Sequence, residues 1–290
     1  MSTEFITRPN NTTSTVGICT WTLGINDIDH LMAKIADLGL NAVQYCQPLD
    51  DYTPAEVKAA AARFDLEILI YDPFDCRPSD KNGEAGLAGA VEFYTRVVDY
   101  AAELGCGATL QGLSAWTNRE SDEQAAWKQL VSSTRAICDY AKVKGVPLSY
   151  EPCNLYEVPL IHTAAEFQQL MDETGCNRIS VLLDSFHMNL GEKDALATLR
   201  EYGHKNSIYH LSDSNREGLG QGHIDFFQQY QALKEAEFNG PTVLEFVLQG
   251  NPVNTPPRNE QEMEELSRQI RHSLAVWRSY AATDNYQHEV

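Results

Sequence analysis

The sequence predicts an α/β protein folded as one (β/α)8 barrel, the TIM-barrel architecture. Short apolar, β-branched runs alternate with longer amphipathic stretches from about residue 16 to about residue 280, and eight such pairs fit within the chain. A length of 290 residues is common for a barrel of this kind. We therefore expect a single domain over residues 1–290, with residues 1–15 as a loose N-terminal arm and residues 281–290 as a polar C-terminal tail.

The elements follow from the same alternation. The predicted strands are Val16–Trp21, Ala42–Cys46, Glu67–Tyr71, Ala108–Gly112, Pro147–Tyr150, Ile179–Leu183, Ile208–Leu211 and Thr242–Phe246. The clearest predicted helices are Asn26–Asp37, Pro54–Phe64, Ala88–Glu103, Asp122–Lys142, Ala164–Thr174 and Glu260–Ser279. Several helices end in a glycine turn just before the next strand, as in ELGCGAT and KVKGVPL, and this recurrence indicates repeated units.

A doubly wound open sheet is the main alternative for alternating strands and helices. That fold usually carries a glycine-rich phosphate loop after its first strand, whereas this chain has CTWTLGIND there. Two connections are long, DPFDCRPSDKNGE after the third strand and SAWTNRESD after the fourth. In a barrel both would lie at the catalytic face, where loops form lids and specificity walls.

Composition excludes several classes of partner. The formal net charge is −19, from 41 acidic and 22 basic residues, and a field of this sign repels phosphate backbones and anionic membranes. We expect neither nucleic acid nor a membrane as a partner. Seven cysteines without a CxxC pair argue against a disulfide framework or a structural zinc site. The sequence shows no secretory signal and no long apolar span, so we expect a cytoplasmic protein.

Four potential metal ligands stand at the ends of four consecutive predicted strands. They are separated by 33, 26 and 35 residues, about one βα unit each, so barrel closure would bring them to one mouth. Taken singly, each is more simply read as a cap or a solvated charge, but four in a row would leave uncompensated charge unless a cation lies among them. Three carboxylates and one imidazole suit Mn²⁺, Mg²⁺ or Co²⁺. The predicted ligands are Glu151, Asp184, His210 and Glu245.

Further polar side chains near these four form a predicted substrate-contact set. Glu157 follows the first ligand by six residues, His187 follows the second by three, and Arg216 follows the third by six. An ordinary turn explains the Asn and Gly of SDSNREGLGQGHID, but not an arginine in an acidic mouth. Trp116, in the long loop after the fourth strand, is a candidate to stack on the apolar face of a sugar, although loop tryptophans are also common as packing anchors.

The segments LLDSFHMN, HLSDSNREGLGQGHIDF and LEF resemble the sugar isomerase and epimerase family with a xylose-isomerase-like barrel, especially the ketohexose 3-epimerases acting on D-tagatose or D-psicose. The resemblance covers nearly the whole barrel. It implies one divalent metal, with Mn²⁺ first and Co²⁺, Mg²⁺ or Zn²⁺ as alternatives, bound by the four ligands above. It also implies that Glu151 and Glu245 form the acid/base pair and that Glu157, His187 and Arg216 contact the substrate. Homodimers or homotetramers are expected.

Two positions depart from the family pattern. Leu155 stands where EPCNLYE would usually carry arginine, and EFV follows the eighth strand in place of the usual Glu-[Ser/Pro]-Phe. These departures leave the substrate open.

The expected reaction removes a proton beside a carbonyl to give an enediolate, which is reprotonated to yield an epimer or an isomer. A dehydratase or lyase acting on an inosose, a keto-glycoside or a dehydroshikimate-like acid is the alternative enzyme. A non-catalytic sugar-binding or partner subunit is the alternative from another class. The related apurinic endonucleases would need a basic groove and additional histidines, which this acidic chain lacks.

Overall fold

The computed structural model describes residues 15–117, 122–252 and 254–287. Eight parallel strands close into a barrel in which each strand pairs with the next and the last pairs with the first, so the predicted fold is confirmed. The strands are β1 (Val16–Cys19), β2 (Ala42–Tyr45), β3 (Glu67–Tyr71), β4 (Gly107–Thr109), β5 (Leu148–Tyr150), β6 (Ile179–Asp184), β7 (Asn206–Leu211) and β8 (Thr242–Leu244).

Helices surround the barrel and return the chain from each strand to the next. They are α1 (Ile28–Asp37), α2 (Pro54–Arg63), α3 (Leu87–Leu104), α4 (Glu123–Lys144), α5 (Ala164–Thr174), α6 (Ser185–Gly191), α7 (Ala195–Tyr202), α8 (Phe226–Glu235) and α9 (Glu260–Gln287). The last helix continues into the segment predicted to be a polar tail. The predicted N-terminal arm lies outside the described residues, apart from residue 15.

Local sequence explains where the helices begin and end. Thr53 and Glu56 form a reciprocal capping box at the start of α2, with Pro54 in the first turn, where its missing N–H costs nothing. Gly105, Gly145 and Gly175 end α3, α4 and α5 in the left-handed conformation, with φ of 77°, 74° and 68°. The glycine turns therefore redirect the chain as the sequence indicated.

Three predicted strands end two or three residues too late, and the second strand ends one residue too late. The chain leaves β1 in a 3-10 turn at Thr20–Leu23 and leaves β4 before a 3-10 turn at Gln111–Trp116. The third of these strands, β8, ends at Leu244 instead of Phe246. Apolar residues continue past each strand because the turns pack into the core as well. Hydrophobic pattern alone does not separate such turns from strands.

Buried apolar side chains form two clusters. The larger fills the space between the strands and the helices. The smaller cluster occupies the barrel interior. Successive residues of a strand face opposite sides of the sheet, so every second side chain points into this interior. Its buried members are Cys19, Trp21, Cys46, Ile70, Leu182, Ile208, Val243 and Val247.

One cysteine pair departs from the sequence expectation. Cys138 on α4 and Cys176 after α5 form a disulfide, whereas the other five cysteines are free. The pair joins neighbouring helical units across 38 residues, a proximity that cysteine spacing does not reveal. Within the described part of the chain, no helix combines the length and apolar character needed to cross a bilayer.

Trp116 is buried in the hydrophobic core and is not available to stack on a sugar. Its side chain is 0% exposed, and its ring stacks on Phe93 with centroids 5.3 Å apart. The indole Nε1 donates to the Cys76 carbonyl at 2.9 Å, and Gly89 lets α3 approach the ring closely. The loop tryptophan therefore anchors the connections after β3 and β4, which corrects the predicted stacking role.

Replacing this anchor should cost stability. We expect Trp116→Ala to lower the free energy of unfolding by about 3 to 5 kcal/mol, the range for removing a buried aromatic side chain. Chemical denaturation followed by circular dichroism measures the change. Tyr156→Ala is the control, because that aromatic side chain is 81% exposed and should cost little. A Trp116→Ala variant that keeps normal stability but no longer binds a sugar would contradict the packing role and support the predicted stacking role.

Candidate active site

The four predicted ligands converge at the carboxyl end of the barrel. Glu151 follows β5, Asp184 ends β6, His210 lies in β7 and Glu245 follows β8. All four are buried, and one ligand atom from each lies within 4.8 Å of the others. Barrel closure thus brings together four side chains that lie 26 to 35 residues apart along the chain.

Strand alternation explains why these side chains point into the mouth. Ile208 and Val243 face the barrel interior, and His210 and Glu245 follow them by two positions. Residues i and i+2 of a strand share a face, so the two polar side chains continue the interior rows at the point where the barrel opens.

His210 is the hub of the cluster. Its Nδ1 lies 3.1 Å from Glu245 Oε2, 3.2 Å from Glu151 Oε1 and 3.7 Å from Asp184 Oδ2. The hydrogen bond from Nδ1 goes to Glu245, which leaves Glu151 Oε1 buried without one. Burial alone would lower the pKa of His210, but Glu151 and the hydrogen bonds with the carboxylates outweigh it and raise this pKa well above its ordinary value.

Arg216 supplies the cation that the sequence required among these carboxylates. One guanidinium nitrogen lies 2.8 Å from Asp184 Oδ2 and the other 2.9 Å from Glu245 Oε2, while the group lies 4.8 Å above the Phe186 ring. The Arg216 backbone has a φ of 67° and is held on both sides, because its N–H donates to the Asp213 carbonyl and its carbonyl accepts from the Val247 N–H. The surrounding loop therefore fixes the arginine over the acidic mouth.

The two glutamates have different electrostatic environments. Burial raises the pKa of Glu151 to about 8, although His210 opposes the shift. Burial also acts on Glu245, but Arg216 and His210 prevail and hold its pKa below the ordinary value. Trp21 fixes the second oxygen of Glu245, because its Nε1 donates to Oε1 at 3.1 Å. The pKa shifts of the two glutamates therefore run in opposite directions, upward for Glu151 and downward for Glu245.

His187 presents a donor to the same space. Its Nδ1 accepts from Asn154 Nδ2 at 2.9 Å, so the hydrogen of the neutral ring is on Nε2. That Nε2 is buried without a hydrogen-bond partner and lies 3.8 Å from Glu151 Oε1. Burial lowers the pKa of His187, which favours the neutral ring. The second hydrogen of Asn154 Nδ2 goes to Glu157 Oε1 at 2.8 Å, so Glu157 joins the same group.

Three buried polar residues behind the cluster escaped the sequence analysis. His210 Nε2 lies 2.8 Å from Gln44 Oε1, Gln44 Nε2 donates to Asp72 Oδ2 at 2.8 Å, and Thr109 donates to the other Asp72 oxygen. Burial raises the pKa of Asp72 to about 6, opposed by the Thr109 hydrogen bond. The available signal was a glutamine inside the apolar run AVQYC and an aspartate directly after EILIY.

The donor set fits a divalent cation. Three buried carboxylates face one imidazole and one guanidinium, and Glu151 Oε1 has no hydrogen bond among the described residues. Buried carboxylate charge is costly unless it is paired or bound to a metal. Oxygen and imidazole ligands suit manganese and similar ions. Cys19 and Cys153 are fully buried.

Comparisons with known proteins agree with this geometry. An L-ribulose 3-epimerase of Mesorhizobium japonicum is 31% identical over 208 residues, which cover 71% of this chain and 62% of the relative, slightly less than two thirds of its length. A D-psicose 3-epimerase of Ruminiclostridium cellulolyticum is 26% identical over 239 residues, 79% of this chain and 82% of the relative. These names confirm the resemblance drawn from the motifs around Asp184 and His210.

The fold comparison reaches further along the chain. A solved structure of an L-ribulose 3-epimerase has a TM-score of 0.78 at 21% identity and covers 94% of this chain and 96% of that one, which shows a shared barrel. Residues 32–278 match the family described as the xylose isomerase-like TIM barrel. Because this match spans most of the chain, the protein belongs to the xylose isomerase-like TIM barrel family.

Proposed function

We propose that this chain is a divalent-metal-dependent epimerase or isomerase of a ketose or a related polyol carbonyl compound. The observation that carries the proposal is the buried cluster of Glu151, Asp184, His210 and Glu245, in which one ligand atom from each side chain lies within 4.8 Å of the others. Relatives named as ketose 3-epimerases support the same reaction class.

The same four side chains would hold the metal, with Mn²⁺ as the first choice and Co²⁺, Mg²⁺ or Zn²⁺ as alternatives. When bound, such an ion would supply a fixed positive charge that makes a C–H beside a carbonyl group more acidic. Asp184 and His210 serve only as ligands in this proposal. Asp184 Oδ1 accepts from the Phe186 and His187 backbone N–H groups at 2.6 and 3.1 Å, which fixes its orientation at the start of α6.

Glu151 and Glu245 would transfer the protons. One removes the proton beside the carbonyl group, and the other returns a proton to the opposite face for epimerisation. Return to the adjacent carbon would give isomerisation. This transfer needs one carboxyl group that carries a proton and one that is ionised, and the direct contact with Arg216 favours Glu245 as the ionised partner.

His187 and Arg216 would stabilise the oxygen that gains charge as the proton leaves. His187 Nε2 and Arg216 Nε are buried N–H groups without a hydrogen-bond partner in the described structure. Donors that are held in place before the reaction stabilise developing charge without reorganising. Glu157, held by Asn154, would bind a substrate hydroxyl beside them.

The acidic balance favours an uncharged sugar over a phosphorylated one, because a phosphate would add negative charge to a mouth that already holds several carboxylates. Homodimers or homotetramers and a cytoplasmic location remain predictions from the sequence.

Hydrogen exchange tests the reaction directly. Manganese-loaded protein should introduce deuterium from D2O at a carbon next to the carbonyl of at least one free ketohexose, ketopentose or inosose, followed by NMR. An epimer or isomer as product would support the proposal, whereas a conjugated enone would assign a dehydratase. Absence of exchange with every free sugar would contradict the proposal and favour a non-catalytic binding role.

Glu245→Gln should reduce turnover by about a hundred- to ten-thousand-fold, the usual contribution of a general acid or base. The amide keeps the shape of the side chain, so the unfolding transition should stay close to that of the parent protein. Glu92→Gln makes the same change on the exposed face of α3 and should leave turnover unchanged. Turnover within a few-fold of the parent in the Glu245 variant would rule out the two-glutamate mechanism.

Metal removal should inactivate the protein reversibly. After dialysis against a chelator, we expect turnover to vanish and to return when Mn²⁺ or Co²⁺ is added, with one ion bound per chain by elemental analysis. If the metal-free protein retains full turnover, the proposed metal dependence is wrong.

A further inference from the structure

A line of hydrogen bonds leads away from the cluster on the side of His210 opposite the carboxylates. It passes from His210 Nε2 to Gln44 in β2, then to Asp72 after β3 and Thr109 in β4, with heavy-atom distances of 2.8 Å for each of the first two bonds. Gln44 is 0% exposed, Asp72 7% and Thr109 1%. The proposed reaction assigns no role to these three side chains.

The chemistry of each group fixes the direction of these hydrogen bonds. The Asp72 carboxylate accepts, and it receives hydrogen bonds from Thr109 Oγ1 and from the Gln44 amide nitrogen. Gln44 must therefore turn its carbonyl oxygen toward His210. An amide oxygen only accepts, so the hydrogen bond between the two requires that His210 Nε2 carries a hydrogen.

The consequence falls on the other ring nitrogen. Nδ1 faces Glu151, Asp184 and Glu245 and is the imidazole atom available to a cation. In the metal-free site Nδ1 also carries a hydrogen, which is directed at Glu245, and a bound cation would replace that hydrogen. The neutral imidazole that results, with hydrogen on Nε2, has its lone pair on Nδ1. The reverse tautomer would leave Gln44 Oε1 buried without a donor and would point an N–H at the ligand position.

We propose that Gln44, oriented by Asp72 and Thr109, is a positioning residue that selects the Nε2–H tautomer of His210 and presents Nδ1 as a metal ligand. The inference rests on the metal site of the proposed function. Metal-bound histidines commonly donate their second N–H to a carboxylate or carbonyl. Here an amide separates the imidazole from Asp72, so the ring gains an acceptor without a fourth carboxylate in contact with it.

The strand pairing around Gln44 indicates that this line of hydrogen bonds is part of the fold and not a chance contact. The pairing register between β2 and β3 shifts between Val43 and Gln44, directly before the glutamine. Such irregularities re-aim side chains at the rims of barrels. Three neighbouring strands each contribute one polar residue, and each polar group has its partner within the line.

The test compares metal affinity and histidine tautomer in matched variants. Gln44→Leu removes the acceptor and should weaken Mn²⁺ binding by about ten- to a hundred-fold in titration calorimetry, the usual cost of losing a partner behind a ligand. Gln229→Leu is the control, because Gln229 is also a buried glutamine, bound to the Tyr209 hydroxyl at 2.7 Å in α8. Its Mn²⁺ affinity should be that of the parent.

The double variant Gln44→Glu with Asp72→Asn tests the hydrogen-bond direction itself. Glutamate at 44 still accepts from His210 Nε2, and asparagine at 72 now donates to that glutamate, so the net charge is unchanged. We expect the double variant to bind Mn²⁺ within a few-fold of the parent. In ¹H–¹⁵N NMR of Mg²⁺-loaded protein, the parent and the double variant should show the His210 Nε2–H proton shifted downfield by its hydrogen bond, and Gln44→Leu should lose that shift.

The outcomes separate the inference from the proposed function. A parent protein that binds no divalent cation overturns the metal site. If the parent binds Mn²⁺ and Gln44→Leu binds it equally well with an unchanged NMR spectrum, only the positioning role of Gln44 is overturned. A double variant as weak as Gln44→Leu would also contradict it, since the acceptor would have been restored without effect. Thermal unfolding of each variant shows whether lost affinity reflects lost folding.

Discussion

The structure depends on one electrostatic constraint, the burial of three carboxylates around a single imidazole at the mouth of the barrel. Isolated carboxylates are too costly to bury, so every neighbouring group must either neutralise or bind them. Arg216 does so for Asp184 and Glu245, the backbone of α6 does so for Asp184, and Trp21 does so for Glu245. Of the three carboxylates, Glu151 keeps a buried oxygen that has no hydrogen bond from any described residue, and this deficit marks the place for a cation.

The same constraint explains why the two glutamates differ although both are buried at strand ends. Arg216 contacts Glu245 directly, whereas the nearest cationic atom to Glu151 is the shared Nδ1 of His210. One arginine on a fixed loop therefore lowers the pKa of Glu245, whereas burial raises the pKa of the chemically identical Glu151. The asymmetry belongs to the fold and not to the sequence pattern, since both glutamates occupy equivalent strand-end positions.

Much of the fold and the ligand set could be predicted because both follow from repetition. One strand per unit and one polar residue at each of four strand ends suffice to predict a barrel with a shared mouth. Arg216 was predicted as a substrate contact because an ordinary turn does not explain an arginine in an acidic mouth. The failures concern contacts between units. Trp116 lies in a loop, yet it packs against Phe93 and Cys76 from other connections. Gln44 and Asp72 meet His210 only through a closed barrel and a local register shift, which no short segment reveals.

The buried cluster and the exposed residues around the mouth of the barrel would have different parts in the proposed reaction. The cluster and the residues that support it are buried. One of the two departures from the family pattern lies outward, because Leu155 is 57% exposed, whereas Phe246 and Val247 of the other departure are buried. The cation usually found at the position of Leu155 is thus replaced by an apolar side chain at the surface, without disturbing the ligands beneath. In the proposed reaction, proton abstraction would depend on the buried groups, and discrimination between sugars would depend on the loops around the mouth of the barrel.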